Sequence, residues 1–138
     1  MMKALLFSTI LISLLSPLFA EKPDSSFQSV SEYLKIHKTL PDFYITKKEA
    51  KSKGWIPSRG NLHKVLPGMS IGGDRFGNRE KKLPVHQCGK STKWIEADID
   101  YQGGRRGGRR IVYCLDRTKK EIHIFKTEDH YKTFQEVR

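Results

Sequence analysis

The sequence is poor in cysteine and in acidic residues, and beyond residue 20 it has no long apolar run. Its two cysteines, Cys88 and Cys114, lie too far apart in the chain to form the CxxC pattern of metal or redox sites. Only 15 acidic residues stand against 26 lysines and arginines, so the formal net charge is +11. A net charge of this size favours binding to polyanions. Nucleic acid is a better candidate than a membrane surface, because the basic residues crowd into loops and do not line one face of an amphipathic helix.

Residues 1–20 are typical of a secretory signal peptide. Lys3 precedes an apolar run that ends at Leu15, and a short segment ending at Ala20 offers a cleavage position. The alternative is a membrane anchor, but the apolar stretch is short for a retained span, which needs about 20 residues. We therefore expect a secreted protein, extracellular or periplasmic, with no stable membrane association after cleavage. Residues 21–138 are expected to form one monomeric domain.

The stretch from Trp94 to Tyr113 predicts a β-hairpin. In its first half apolar and acidic residues alternate, as in a strand with one buried face, so the carboxylates are expected to share a solvated face. The apolar positions are Ile95, Ala97, Ile99 and Tyr101, and the acidic positions are Glu96, Asp98 and Asp100. After a glycine-rich connection, β-branched and aromatic residues from Arg110 onwards form the second strand and return arginines to the carboxylates. A disordered RGG-like RNA-binding patch is the alternative interpretation of the connection.

Carboxylates beneath a cluster of arginines form either a lattice of salt bridges or a site for a phosphate. Phosphate chemistry also needs an acid, and His130 is the candidate because histidine exchanges protons near neutral pH. Glu96 is the candidate base. The cations that would hold this base ionised are Lys47, Arg106 and Arg110. The plainer alternatives are an ion pair between Glu96 and Arg110, a surface histidine in a turn, and a structural Asp98 that ties one of the arginines in place.

Capping and turn residues predict short helices in the N-terminal half. Ser26 is expected to cap a helix that ends near Lys38, and Thr46 with Glu49 forms a capping box for a second helix that Gly54 closes. A third short helix is expected over residues 61–66, a first strand over 70–76, and an antiparallel pairing of residues 113–115 with 122–125. The predicted fold is α+β, with short N-terminal helices packed on a C-terminal antiparallel β-sheet.

Several motifs, in order along the chain, resemble one family. They are T-L-P-D-F-Y-I-T-K, G-N-L, P-G-x-S-I-G-G-D, F-G-N-R-E, K-L-P, W-I-E-A-D-I-D-Y, R-I-V-Y and D-H-Y-K-T-F, within a stretch from Phe27 to Arg138. On these motifs the chain resembles the barnase-like secreted ribonucleases, the guanyl-preferring microbial ribonuclease family. The resemblance implies an endoribonuclease that cleaves single-stranded RNA after guanine without a metal or other cofactor. Cleavage would proceed by transesterification to a 2′,3′-cyclic phosphate, then hydrolysis to a 3′-phosphate.

The resemblance also assigns roles to residues. It makes Glu96 the general base and His130 the general acid, which exchange roles in the hydrolysis step. The loop after the predicted first strand is a plain turn on its residues alone, but in the family the matching loop reads guanine. The residues that would do so are Asn78, Arg79 and Glu80, and Tyr131 would hydrogen-bond phosphate or base. The chain departs from the family at Gly77, in place of serine, and at Arg109, which replaces an acidic residue and is expected to strengthen the field on the phosphate.

The two cysteines are expected to form a disulfide, because an exported chain meets oxidising conditions. Cys114 ends the second strand of the predicted hairpin, and Cys88 lies six residues before the first strand. Strand pairing would therefore bring the two residues together. Free thiols are the alternative.

Two kinds of partner follow from this interpretation. Single-stranded RNA is the expected substrate, and the resemblance implies an acidic, barstar-like inhibitor that covers the cationic site inside the producing cell. The competing function is that of an exported cationic RNA-binding or membrane-active protein without catalysis. A pure binding module would have no need of a base and an acid, and both candidate residues are present.

Overall fold

The computed structural model describes residues 22–89, 93–116, 118 and 120–138. The signal peptide predicted over residues 1–20 lies outside the described residues. Within them, no helix combines the length and the apolar character needed to cross a membrane. In chain order, the described helices all come before the second strand of the sheet.

Short helices occupy the N-terminal half, where the capping residues predicted them. The helices are α1 (Phe27–His37), α2 (Lys47–Ser52), a 3-10 helix (Pro57–Arg59) and α3 (Leu62–Val65). The hydroxyl of Ser26 caps α1 by accepting a hydrogen bond from the backbone N–H of Ser29 at 3.2 Å. Thr46 caps α2 in the same way, with the N–H of Glu49 as donor at 3.3 Å. The three predicted helices are confirmed.

The six described strands form one sheet. They are β1 (Tyr44–Ile45), β2 (Ser70–Phe76), β3 (Trp94–Asp98), β4 (Arg110–Leu115), β5 (Ile122–Thr127) and β6 (Gln135–Val137). Their spatial order follows the chain from β1 to β6. The pair β1–β2 is parallel, and the other four pairs are antiparallel. The predicted α+β fold and the central hairpin of β3 and β4 are confirmed.

The two edge strands were not predicted. Ser70–Phe76 has the predicted bounds, but it is not the first strand, since Tyr44–Ile45 precedes it and pairs with it. At the other edge, Gln135–Val137 pairs with β5. Both edge strands have two or three residues, which is too short for a period-2 pattern to show in the sequence.

Helix α1 packs on one face of the sheet. Its fully buried side chains, Val30 and Leu34, contact an apolar cluster from three strands and the residue after β3. The cluster consists of Ala97, Ile99, Ile111, Tyr113 and Ile124, with Ile95 packed against it. For Ile95, Ala97 and Ile99, the alternating pattern predicted this face. The hairpin is therefore held against α1 by its apolar side, which directs Glu96 and Asp98 to the opposite side.

The opposite face of β4 is buried as well. Val112 and Cys114 alternate with the residues that face α1, so they point to the other side of the sheet. There they belong to a second cluster with Leu83, Cys88, Trp94 and Phe125. Cys88 and Cys114 form the expected disulfide, with their Cα atoms 6.1 Å apart. The bond fastens the segment that follows β2 to the middle of the sheet.

Opening this disulfide is expected to lower the free energy of unfolding by about 2–4 kcal/mol, because the crosslink restricts the unfolded chain. Denaturant unfolding of the protein with and without a thiol reductant measures the effect while both sulfur atoms stay in place. The variant Cys88→Ala/Cys114→Ala is the control, since the reductant has no bond to open there. Equal unfolding midpoints for the parent protein in both conditions would contradict the expectation.

Candidate active site

Two carboxylates of β3, Glu96 and Asp98, lie on the side of the sheet away from α1. The strand register places Glu96 opposite Val112 and Asp98 opposite Arg110. The expectation that this face is solvated is wrong, since Glu96 is 5% exposed and Asp98 is 2% exposed. Side chains from α2, from the β3–β4 loop and from the turn after β5 cover them. Alternation within one strand predicts which way a side chain points, but it cannot predict what distant segments lay over it.

Asp98 is the anchor of two arginines. Arg106 donates two hydrogen bonds to its carboxylate, from Nε to Oδ2 at 2.7 Å and from Nη2 to Oδ1 at 2.6 Å. The Nε atom of Arg110 lies 2.9 Å from Oδ1 of the same carboxylate. Burial by itself would lower the pKa of Arg106, but the hydrogen bonds and the charge of Asp98 outweigh it and raise the pKa above its ordinary value. The structural role predicted for Asp98 matches this geometry, and the alternative ion pair between Glu96 and Arg110 is not formed.

Glu96 instead takes a lysine and a tyrosine as partners. Lys47 Nζ lies 2.9 Å from Oε1, and the Tyr131 hydroxyl donates a hydrogen bond to Oε2 at 2.5 Å. Burial, and then the hydrogen bond to Glu96, raise the pKa of Tyr131 above its ordinary value, so the phenol remains a donor. The backbone N–H of Lys47 also donates to Asp74 on β2 at 3.0 Å, which fixes the start of α2 against the sheet. A lysine in the first turn of a helix destabilises that helix through the helix dipole. Here the charge of Lys47 is balanced by the carboxylate of Glu96 on β3.

His130 lies against the ring of Tyr131. The two ring centroids are 4.8 Å apart, and the backbone N–H of His130 donates to the carbonyl of Gly108 at 3.0 Å. Both His130 and Tyr131 have left-handed backbone angles, with φ of 54° and 69°. The guanidinium of Arg110 is 5.9 Å from the centre of the Tyr131 ring. Glu96, Arg110 and His130 are therefore gathered around one tyrosine on one side of the sheet.

A cleft of about 780 Å³ opens beside this tyrosine. Residues 75–80 line one side and residues 130–132 with Phe134 line the other. The side chain of Asn78 does not point freely into the cleft: it accepts from the N–H of Leu83 and donates to its carbonyl, both at 3.0 Å. These two hydrogen bonds hold the loop between residues 78 and 83 closed. The backbone of Asn78 has a left-handed φ of 46°. Glu80 extends outwards, with 76% of its side chain exposed.

The family model for ribonucleases matches residues 27–138. The chain is 47% identical over 114 residues to a ribonuclease from Heyndrickxia coagulans, an alignment that covers 83% of this chain and 97% of the relative. The chain belongs to the barnase-like microbial ribonucleases. Ribonucleases from Bacillus intermedius and Bacillus pumilus are also 47% identical over 114 residues, with 83% of this ribonuclease and 65% of each relative aligned. Membership makes the protein an endoribonuclease and RNA its substrate.

In this ribonuclease, Asp129 organises the turn that presents His130. Its carboxylate accepts hydrogen bonds from the Thr133 hydroxyl at 2.6 Å, from the Thr133 N–H at 2.9 Å and from the Lys132 N–H at 3.1 Å. These bonds, those of Thr133 first, lower the pKa of Asp129 from 3.8 to about 2. Because the folded pKa is the lower one, the contribution of this carboxylate to stability is present above about pH 4 and is lost as the pH falls towards 2. The turn is therefore intact at neutral pH.

Arg109 does not strengthen the field on a phosphate as expected. The chain leaves β3 after Asp98, and Asp100 adopts a left-handed φ of 53°. Asp100 consequently leaves the carboxylate face and forms an ion pair with Arg109, which also lies 3.3 Å from Glu128. The Arg109 guanidinium is 5.1 Å from the ring centre of Phe27 on α1. The reversed charge at this position is thus neutralised locally by two acids.

The ribonuclease also contains a cleft residue that the sequence did not single out. Lys82 follows another lysine in a run of polar residues, which gives it no distinctive pattern. In the fold it lines the cleft and lies 2.9 Å from Glu80. Among the described residues, no three His, Cys, Asp or Glu side chains converge as ligands of a metal ion would.

Proposed function

We propose that this ribonuclease cleaves single-stranded RNA on the 3′ side of guanine, with Glu96 as general base and His130 as general acid. The observation that carries the proposal is the Tyr131 side chain, whose hydroxyl binds Glu96 at 2.5 Å while its ring lies against His130. A candidate base and a candidate acid that both contact one tyrosine, itself a lining residue of the cleft, fit a reaction that moves one proton at each side of a phosphate.

RNA supplies its own nucleophile, so the first step needs no covalent residue. Glu96 removes the proton of the 2′-hydroxyl, whose oxygen attacks the adjacent phosphorus. His130 gives a proton to the 5′-oxygen as the bond from phosphorus to that oxygen breaks. The products are a 2′,3′-cyclic phosphate and a free 5′-hydroxyl, with Glu96 protonated and His130 neutral.

Three cations lie against the two carboxylates and would stabilise the negative charge that develops on the phosphate. They are Lys47, Arg106 and Arg110, which are already oriented by Glu96 and Asp98. Donors that are held in place before the reaction need no reorganisation when charge builds on the equatorial oxygens. The buried Asp98 thus serves catalysis by fixing the direction of its two arginines.

The second step reverses the roles of the two proton carriers. Neutral His130 takes a proton from water, which attacks the cyclic phosphate, and protonated Glu96 returns its proton to the leaving 2′-oxygen. The product is a 3′-phosphate, and both residues regain their starting states. The same geometry serves both steps because each needs one base and one acid on opposite sides of the phosphorus.

Guanine would bind in the cleft along residues 77–80. The exposed carboxylate of Glu80 can accept hydrogen bonds from the N1–H and the 2-amino group of guanine, an edge that adenine lacks. Asn78 shapes the loop, so its backbone and that of Arg79 would supply the remaining contacts. The ring of Tyr131, stacked on Phe76 at 5.0 Å between centroids, forms an aromatic floor beside them.

The same proposal holds that the enzyme is exported, that it is a monomer, and that an inhibitor protein binds it. An enzyme with this activity would be harmful to the RNA of the cell that makes it, which fits an export signal at residues 1–20. The exposed cations of the cleft, Arg79 among them, would complement an acidic barstar-like inhibitor. Such a partner would gain both attraction and a fast association rate from opposite charge.

Cleavage of dinucleotides in EDTA tests the proposal. Residues 21–138 are expected to cleave guanylyl-3′,5′-adenosine at least about tenfold faster than adenylyl-3′,5′-adenosine. Phosphorus NMR is expected to show a 2′,3′-cyclic intermediate before the 3′-phosphate. Activity that disappears in EDTA and returns with a divalent metal, or a product with a 5′-phosphate, would contradict the mechanism. Binding of RNA without any cleavage would favour the non-catalytic alternative.

A further inference from the structure

Lys82 connects the two sides of the cleft. Its ammonium group lies 2.9 Å from Glu80 Oε2 on the loop side. On the other side it donates to the backbone carbonyls of Tyr131 at 3.3 Å and of Lys132 at 3.0 Å. An ammonium group has three N–H donors, and here each has an acceptor. One side chain thus links the proposed base-reading carboxylate to the turn that carries His130.

The turn on which Lys82 acts needs such a restraint. His130 and Tyr131 are consecutive non-glycine residues with left-handed φ, a conformation that costs energy and persists only when its surroundings enforce it. Within the turn, the Asp129 carboxylate accepts hydrogen bonds from the backbone N–H groups of Lys132 and Thr133. Lys82 holds two of its carbonyls from across the cleft. The two contacts together fix both kinds of backbone polar group around Tyr131.

We propose that Lys82 is a positioning residue that couples guanine recognition by Glu80 to the placement of His130 and Tyr131. The inference rests on the proposed function and extends it to a residue with no assigned role. Lys82 holds the Glu80 carboxylate at the rim of the cleft, and Oε1 of that carboxylate remains available to a base. The same ammonium group keeps the Tyr131 hydroxyl directed at Glu96. Specificity and rate therefore depend on one side chain.

The neighbouring Lys81 provides a matched control. It carries the same charge beside the same cleft, but among the contacts of the described chain its side chain forms no ion pair or hydrogen bond. Lys82→Gln and Lys81→Gln remove equal charge, so their difference isolates the contacts from the general field. Lys82→Arg restores a cation with several donors and is expected to recover most of the activity.

The steady-state experiment compares the three variants on the guanine and adenine dinucleotides. Lys82→Gln is expected to lower kcat for the guanine substrate by roughly tenfold, because small misplacements of catalytic groups reduce rates strongly. Its guanine-to-adenine ratio of kcat/KM is expected to fall by a similar factor. Lys81→Gln is expected to change KM less than about threefold, and the change should vanish at high salt, where exposed charges are screened.

Amide hydrogen exchange provides a readout that does not depend on substrate. The N–H groups of Tyr131, Lys132 and Thr133 are hydrogen-bonded within the turn, and in Lys82→Gln they are expected to exchange at least about fivefold faster, with the rest of the sheet unchanged. If Lys82→Gln matches Lys81→Gln in both kcat and exchange, the proposal is overturned. If the parent enzyme shows no guanine preference, the proposed function fails at that point, while the exchange comparison still decides whether Lys82 restrains the turn.

Discussion

Replacing His130 by glutamine is expected to lower kcat/KM for RNA by about 10²- to 10⁴-fold, the usual contribution of a proton-transfer residue. The leaving group is a 5′-alkoxide, which departs poorly without a proton. Affinity for RNA should be unchanged, since the phosphate contacts come from lysine and arginine. His86→Gln is the control, because His86 is an exposed histidine with no part in the site.

The substrate can separate the acid from the base. A substrate with a phenolate leaving group does not need protonation, so it should restore most of the rate of His130→Gln and little of that of Glu96→Ala. Glu96→Ala should retain measurable activity on RNA, because the cations around the site already acidify the attacking hydroxyl. If both variants cleave RNA at the parent rate, the two assignments are wrong.

Replacing Asp98 by alanine is expected to be the most destabilising change in the site. Two guanidiniums would lose their shared carboxylate, and Arg110 is only 3% exposed, so its charge would remain buried without compensation. Removing one partner of a buried ion pair typically costs about 3–5 kcal/mol. Urea unfolding measures the loss, and Asp42→Asn is a suitable control because Asp42 is exposed.

The same variant should also lose activity under conditions where it is still folded. Arg106 and Arg110 would no longer point in a fixed direction, so their stabilisation of the phosphate would fall. The measurement is kcat/KM at a temperature well below the unfolding transition. An Asp98→Ala enzyme that unfolds at the parent urea concentration and cleaves RNA at the parent rate would show that Asp98 is not the anchor of the site.

Local signals in the sequence predicted most of the fold. The caps at Ser26 and Thr46 and the alternation in β3 depend on neighbouring residues, and the structure reproduces each of them. The two- and three-residue edge strands, β1 and β6, were not predicted, because they are defined by their partners in the sheet and not by a sequence pattern of their own.

The site was harder to predict because its contacts join distant parts of the chain. Of the three cations predicted to hold Glu96 ionised, Lys47 contacts it from 49 positions away, whereas Arg106 and Arg110 bind Asp98. Burial of Glu96 depends in part on Tyr131, which no local pattern connects to β3. Lys82 was missed for the same reason, since its importance lies in carbonyls about 50 residues later.

The left-handed backbone at His130 bears on how the chain can change over evolutionary time. Glycine tolerates this conformation better than histidine does, so a substitution of His130 by glycine would remove the imidazole and relax the backbone at the same time. Under selection for stability alone, the position would drift away from histidine. On the proposed mechanism, keeping histidine at this position requires continued selection for cleavage, and a copy of the chain released from that selection would lose its proposed acid early.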